Sequence, residues 1–406
     1  MIELFIYIKH LFSPIRGILR SKLKWMLCAF MLWFYRVEYI PADGGGLAKL
    51  LQVVTLGIML LFLIRYSRRR LMYPLTTSFM PVRFLTILYL WATISFIWSP
   101  MPGFAFFLGF QNVVLLLFFY WILTSQPDKL SAERVFLQSF LLIAVTNSLL
   151  YRVLLEHSLF VHHLGDASSC ALLLTYSFGE LISMKTRNPQ RKKMLIYTCI
   201  VSSIILVLGT SSGANASAIF GITVALFFSK KHFYAILIML FGLFLYFNQD
   251  LINTLILTVM PGKSIEVLET ATGREQLWEG MLILADQRPF TGWGFGCVER
   301  VAWEQGLLPF PVPDAHSNFI GIYGSLGIIG CIFYGLHLVS FLGASFIRRR
   351  SFGHLGIMAA ACCGTLNGYS YGFLVSKACS ITLVYLSLVV LQYCFIKKRM
   401  YVGKDA

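Results

Sequence analysis

Twelve apolar stretches of about membrane-spanning length divide this chain, at roughly 24–40, 47–64, 79–98, 104–124, 135–155, 164–184, 194–210, 214–229, 233–248, 318–343, 353–371 and 377–396. A helix needs about 20 apolar residues to cross a hydrocarbon layer. The repetition predicts an all-α polytopic membrane protein of about twelve transmembrane helices. Of its 406 residues 57% are apolar and only 13% are charged, roughly half the charged fraction of a soluble domain. That excludes a soluble multidomain enzyme as well as disordered, collagen-like and disulfide-scaffold chains. The formal charge of +16 is read as positive-inside charge and attraction to anionic lipid rather than a nucleic-acid surface. Nine cysteines form no CxxC pair, so neither a disulfide framework nor a metal site is expected. The N-terminal residues hold cations but lack a short apolar run ending in a small-residue cleavage site, so no removable signal peptide is expected.

The basic residues set the expected orientation. They cluster at Lys9–Lys24, at Arg65–Arg70, at Lys129 and Arg134, at Lys185–Lys193, at Lys230 and Lys231, at Arg348–Arg350 and at Lys397–Lys404. Twenty-five of the 34 basic residues thereby fall on one side of a twelve-span arrangement. The positive-inside bias makes that side, and both termini, cytoplasmic. The opposite side has short turns and one loop of about 70 residues, 249–317, rich in acidic residues. A loop of that length in a compact bundle is usually functional. The chain is expected to be a single integral-membrane domain, 1–406, with this periplasmic loop carrying the active site.

Within the loop, Thr272-Gly-Arg-Glu275 has the spacing of a capping box. Leu277, Met281 and Leu284 follow on one face. This predicts an amphipathic helix over 273–287, ended before Pro289 and lying against the outer face of the membrane. Arg274 falls in its first turn, where the helix dipole disfavours a cation. A guanidinium beside free backbone N–H groups suits an oxyanion or a diphosphate; an ordinary solvated arginine is the alternative. Gly292, Gly294 and Gly296 alternate with aromatics and predict a tight structural turn, since no strand-to-helix context supports a phosphate loop. Pro309-Phe-Pro-Val-Pro313 is a rigid approach that delivers Asp314-Ala-His316-Ser-Asn318 to the start of an apolar stretch. His316 suits proton transfer there, or it is a histidine merely hydrogen-bonded at a helix start. Gly321, Gly324, Gly327 and Gly330 recur at every third position, which predicts close approach of another helix.

At these residues the chain resembles the superfamily of O-antigen ligases and O-antigen or exopolysaccharide polymerases of bacterial envelope glycan assembly. Gly273-Arg274-xxx-Trp278 followed by Pro289-Phe-Thr-Gly292-Trp-Gly294 is similar to the family's large-loop signature. His316-Ser317, nine residues and Gly327-xx-Gly330 match its histidine motif, and Trp98-Ser-Pro100 is a weaker likeness. Twelve spans, termini inside and one long periplasmic loop agree with the family's topology. One departure is the turn Thr210-Ser-Ser-Gly-Ala-Asn215, where relatives often carry an Arg after Thr-Ser. Arg36, Lys49 and Arg152 near outer span ends are candidates to replace it, or are snorkelling interfacial residues.

The resemblance implies inverting glycan transfer without a metal, cofactor or nucleotide sugar. The donor would be a glycan on undecaprenyl diphosphate. The acceptor would be a lipid A-core sugar for a ligase of lipopolysaccharide biosynthesis, or another lipid-linked repeat for a polymerase, with ligase narrowly favoured. Arg274 is assigned to the diphosphate and His316 to the acceptor hydroxyl, with Trp278 and Asp314 as further substrate-site candidates; the roles of Arg274 and His316 are open to reversal. Asp314 is a weak candidate to position the imidazole. A twelve-span carrier or flippase is the competing class. The Arg65–Arg70 loop lacks the Gly and Asp of the major facilitator signature, and mid-span charges are few. The bacterial inner membrane is the expected location.

Overall fold

The computed structural model describes residues 45–67, 73–149, 164–183, 188–209, 211–247, 274–312, 314–375 and 378–397. Among them are fourteen α-helices and no strand. The helices are α1 (Gly45–Ser67), α2 (Tyr73–Thr76), α3 (Met80–Ile94), α4 (Pro102–Thr124), α5 (Lys129–Leu149), α6 (Leu164–Ser183) and α7 (Pro189–Leu208). There follow α8 (Ser212–Phe228), α9 (His232–Phe247), α10 (Arg274–Ala285), α11 (Val298–Glu304), α12 (Asn318–Ile347), α13 (His354–Ser370) and α14 (Ser380–Ile396). Eleven of the twelve apolar stretches thus coincide with helices; the first, 24–40, lies outside the described residues. Three helical segments are long and apolar enough to cross a membrane by length and composition: Met80–Ile97, Pro102–Thr124 and Asn318–Ile347.

Proline at the first helical positions starts α3, α4 and α7, where its fixed φ fits and its missing N–H is not needed. Asn188 adds a side-chain cap to α7, accepting from Gln190 N and Arg191 N. Helix α14 is buried on every face from Ser380 to Leu391, and nearly all of α6 is buried. A helix that is apolar all round belongs in a core, and α6 packs on α7, α8, α13 and α14 while α14 also packs on α4 and α5. Around this centre, α7, α8, α9 and α12 turn large aliphatic and aromatic side chains outward, among them Ile204, Phe227, Leu240 and Val339. Contiguous exposed apolar surface of that kind suits lipid, not water.

One cation of the sidedness pattern has a different role. Arg191 is 5% exposed and donates to both carboxylate oxygens of Glu133 at 2.6 and 2.7 Å and to Glu180 at 2.5 Å. Tyr176 adds a bond to Glu133, and Glu180 accepts from Gly353 N and Gly356 N. This network joins α5, α6 and α7 to the turn before α13. Arg191 is therefore a buried structural partner, not a free loop charge.

Candidate functional site

Helix α10 covers nearly the predicted 273–287; Thr272 and Gly273, on which the capping box rests, lie outside the described residues. Leu277, Met281 and Leu284 are buried, but their cover is protein. They cluster with Val298, Val301, Ala302, Leu308, Val312 and Ala315. The amphipathic face thus serves a small core inside the loop instead of resting on lipid.

The glycine–aromatic turn anchors this core to the bundle. Helix α12 breaks at Gly327, whose φ of 65° and ψ of −165° lie in a region open essentially only to glycine. A break leaves carbonyls on one side and N–H groups on the other without helical partners. The loop supplies them. Trp293 N donates to Gly324 O at 3.0 Å and Gly294 N to Ser325 O at 2.9 Å. In return Ile328 N donates to Pro289 O at 2.8 Å. The fourfold glycine spacing therefore does not serve helix–helix approach alone: Gly324 faces Val298, and Gly327 faces the Phe290–Thr291 backbone. Trp98-Ser-Pro100 locks the same turn from α3's end. Trp98 Nε1 donates to Thr291 O at 3.0 Å, Arg288 Nη1 donates to Trp98 O at 3.1 Å, and Ser99 Oγ lies 3.3 Å from Cys297 Sγ.

This framework brings four of the sequence candidates together. Arg274 and Trp278 are one helical turn apart on α10, hence on one face. Trp278 Nε1 donates to Ala315 O at 2.9 Å, and its ring meets Tyr369 edge-on at 5.5 Å. The 314–316 turn is thereby pinned to α10. Asp314 Oδ1 accepts from His316 N at 2.7 Å, an Asx turn. The same oxygen is 3.2 Å from His316 Nδ1, close to the ring but without the alignment of a hydrogen bond. Asp314 therefore holds the backbone of His316 first and its imidazole second. Burial pushes the Arg274 guanidinium below its ordinary pKa, and the charge of Asp314 offsets part of that shift. Arginine still stays protonated at any physiological pH.

His316 has φ of +49°, a left-handed conformation that costs a non-glycine residue roughly 1–2 kcal/mol. Its side chain remains 22% exposed, so the ring is not consumed by a structural bond at the helix start. The segment after α13 covers the turn: Gly372 abuts Ser317 N, Asp314 Oδ1 and His316 N, while Leu374 N donates to Asn318 Oδ1 at 2.8 Å. Of the 210–215 stretch, Thr210 lies outside the described residues, and Gly213 in the first turn of α8 lies against Ser370 Oγ at the end of α13. Arg36, Arg152 and the side chain of Lys49 lie outside the described residues, as do His162 and His163.

Sequence reasoning missed Glu299. It is 3% exposed, in the first turn of α11. Burial, with Asp314 nearby, pushes its carboxyl up to about 7. In the sequence it was one acidic residue among nine in a loop, with nothing to mark its burial.

A helical bundle with an apolar exterior, in which α10 sets a guanidinium beside the carboxylate and imidazole of the 314–316 turn, defines a membrane protein with a polar site at the start of a broken helix. Residues 197–335, about a third of the chain, match the family model described as O-antigen ligase. The match runs from α7 into α12 and includes Arg274, Trp278, Asp314 and His316. No curated protein matches the chain. At the family level the match means membrane proteins that process glycans as O-antigen ligases or polymerases, with lipid-linked glycan substrates.

Proposed function

We propose that this protein transfers a glycan from undecaprenyl diphosphate to a sugar hydroxyl, with inversion, at the Arg274–His316 turn on the periplasmic face. The observation that carries the proposal is the convergence of Arg274, Trp278, Asp314 and His316, within the matched region, at the start of α12. The leaving diphosphate gains negative charge as the glycosidic bond breaks, and Arg274 is the cation for it. The acceptor hydroxyl loses a proton as it attacks, and His316 is the base. Asp314 holds the turn by accepting from His316 N and keeps its carboxylate 3.2 Å from the imidazole Nδ1.

The ligase form of the reaction is the preferred reading, and a repeat-unit polymerase is the second, since both use the same donor chemistry. Envelope glycan from a deletion strain separates them. Long lipid-linked chains that fail to attach mean ligase; accumulated single repeats mean polymerase. Purified protein that moves lipid-linked donor across a bilayer without consuming it overturns both and indicates a carrier.

Two expected results arise here. In the inner-membrane arrangement, a reporter fused after Lys193 reports cytoplasm and one inserted within 300–312 reports periplasm; the same compartment for both overturns the orientation. Arg274→Lys loses roughly 10- to 100-fold in kcat/KM, because lysine keeps the charge but not the planar fork that grips two phosphate oxygens, and such charge-assisted bonds contribute about 1.5–3 kcal/mol. Equal activity in wild type and Arg274→Ala, measured as product formed from lipid-linked donor, removes Arg274 from the site.

A further inference from the structure

We propose that the 288–294 turn is seated in the lipid interface at the outer-loop end of the bundle, with the Phe290 ring among acyl chains and the Arg288 guanidinium on a lipid phosphate. The proposal rests on the apolar exterior of the bundle and not on the glycan-transfer reading.

Exposure and continuity point to lipid. Phe290 is 67% exposed on the turn, and Ile97, just past the end of α3, is 70% exposed. The elements tied to the turn are apolar on their outer sides as well: Ile94 on α3, Ile283 near the end of α10, and Ile328 and Ile332 on α12 after its break are all exposed. Hydrogen bonds make the ties. Ile328 N donates to Pro289 O, Trp98 Nε1 to Thr291 O, and Tyr323 Oη on α12 to Asp286 Oδ1 at 2.7 Å. The patch around Phe290 therefore continues the outward face of α12, and contiguous apolar surface of that kind needs an apolar cover. Three indoles gather at the same level. The Trp91 and Trp98 rings lie 5.0 Å apart, Trp91 Nε1 donates to Leu326 O at 3.4 Å, and Trp293 Nε1 donates to Leu284 O at 2.8 Å. Tryptophan concentrates where a membrane meets water.

The backbone of the turn meets the condition that lipid imposes. Irregular backbone is tolerated at membrane depth only where protein satisfies its polar groups. Arg288 O accepts from Gly292 N, Pro289 O from Ile328 N, Phe290 O from Ile329 N and Thr291 O from Trp98 Nε1. The N–H groups of Gly292, Trp293 and Gly294 all donate, and Pro289 has none to satisfy. The turn directs these groups to protein and leaves the Phe290 side chain outside. Arg288 adds charge complementarity. Its guanidinium lies 4.0 Å over the Trp293 ring and donates through Nη1 to Trp98 O at 3.1 Å, so it is in place before a ligand arrives. It remains exposed. A guanidinium has five N–H donors and grips phosphate oxygens in pairs. A fixed cation two residues from an exposed phenyl ring matches a phospholipid, whose phosphate sits directly over its acyl chains.

The test places a nitroxide label at position 290 (Phe290→Cys) of the full chain in nanodiscs of phosphatidylethanolamine and phosphatidylglycerol. A label at the exposed end of α11 (Gln305→Cys) is the comparison, and wild type taken through the same labelling gives the background of the native cysteines. The 290 label is expected to collide several-fold more often with oxygen, which concentrates in lipid, than with a water-soluble nickel chelate, and the 305 label the reverse. The depth at 290 is expected to be about 5–10 Å inside the headgroup boundary, as for interfacial helices. Arg288→Glu sets a carboxylate against the phosphates and is expected to move the 290 label toward water, while Arg288→Lys keeps a cation there and leaves it in lipid. A 290 label as open to nickel as the 305 label overturns the proposal, because the turn then stands in water. A 290 label reached by neither reagent also overturns it, because protein, a second copy or a partner, then covers the patch. An unmoved label in Arg288→Glu overturns the phosphate contact. If Phe290→Cys does not accumulate, a benzophenone side chain at position 290 decides by whether light crosslinks it to lipid. No glycan enters these measurements, so their result stands whether or not the protein transfers one.

Discussion

Replacing His316 with alanine is expected to abolish glycan transfer while leaving donor binding nearly intact. The acceptor is a neutral hydroxyl of very high pKa, so its attack needs a base as the bond forms. Loss of general-base assistance typically costs 10²- to 10⁴-fold, about 3–5.5 kcal/mol. In the proposed reaction the donor's diphosphate is anionic and draws on Arg274, on α10 beside the turn. The substitution also removes the steric reason for strain at φ +49° only in part, since alanine too has a Cβ. The turn is held by Asp314, Trp278 and the Ala315 peptide, none of which involves the imidazole. A folded, inactive, donor-binding protein is therefore the expected product. The paired measurement is lipid-linked donor binding and product formation on the same preparation. Wild-type turnover takes His316 out of the mechanism and moves attention to His162 or His163. Lost binding, with undiminished turnover per bound donor, makes His316 a donor ligand.

Much of this arrangement was legible in the residues because it follows from local rules. Apolar length gave the helices, and the 3.6-residue period at Leu277, Met281 and Leu284 gave α10 to within two residues. The motif spacing singled out Arg274, Trp278, Asp314 and His316. What was not legible depended on contacts distant in sequence. Periodicity says that a face is buried but not by what, so α10 was read as facing lipid when Val298, Val301 and Leu308 cover it. A glycine every third residue says that something approaches closely, yet a helix and a turn leave the same signature. Glu299 is buried in the first turn of α11, and Arg191 finds Glu133 from 58 positions away. Neither has a sequence period to betray it. The imidazole's closeness to Asp314 is not legible in the sequence, since only Ala315 separates the two; a left-handed His316 is what lets so short a span close.

Gly327→Ala is expected to destroy the site from outside it, while Gly335→Ala in the same helix is close to silent. At Gly335 an added Cβ meets nothing within 4 Å, and alanine gains up to about 1 kcal/mol of helix propensity over glycine. At Gly327 an added Cβ falls onto the Phe290 carbonyl and 2.5 Å from Thr291 N. Those are backbone atoms that no rotamer change can move aside. Alanine is also strained at φ 65°, ψ −165°, by roughly 1–3 kcal/mol, and overpacking adds about 1–3 kcal/mol more. Two relaxations are open, and both undo the loop. If α12 straightens through 327, Gly324 O and Ser325 O return to helical partners, and Trp293 N and Gly294 N lose theirs. If the 289–294 turn retreats instead, Ile328 N and Pro289 O part, and Trp98 Nε1 loses Thr291 O. Either route detaches the glycine–aromatic turn on which α10 and α11 rest, and with it the alignment of Arg274 and His316. The expected outcome is a loss of transfer of 100-fold or more, from roughly 3 kcal/mol or more of misplacement, with protease cleavage appearing within 286–312. Gly335→Ala should keep wild-type transfer and cleavage. Equal activity and protease resistance in the two variants would show that the break at Gly327 is not what holds the 289–312 segment in place.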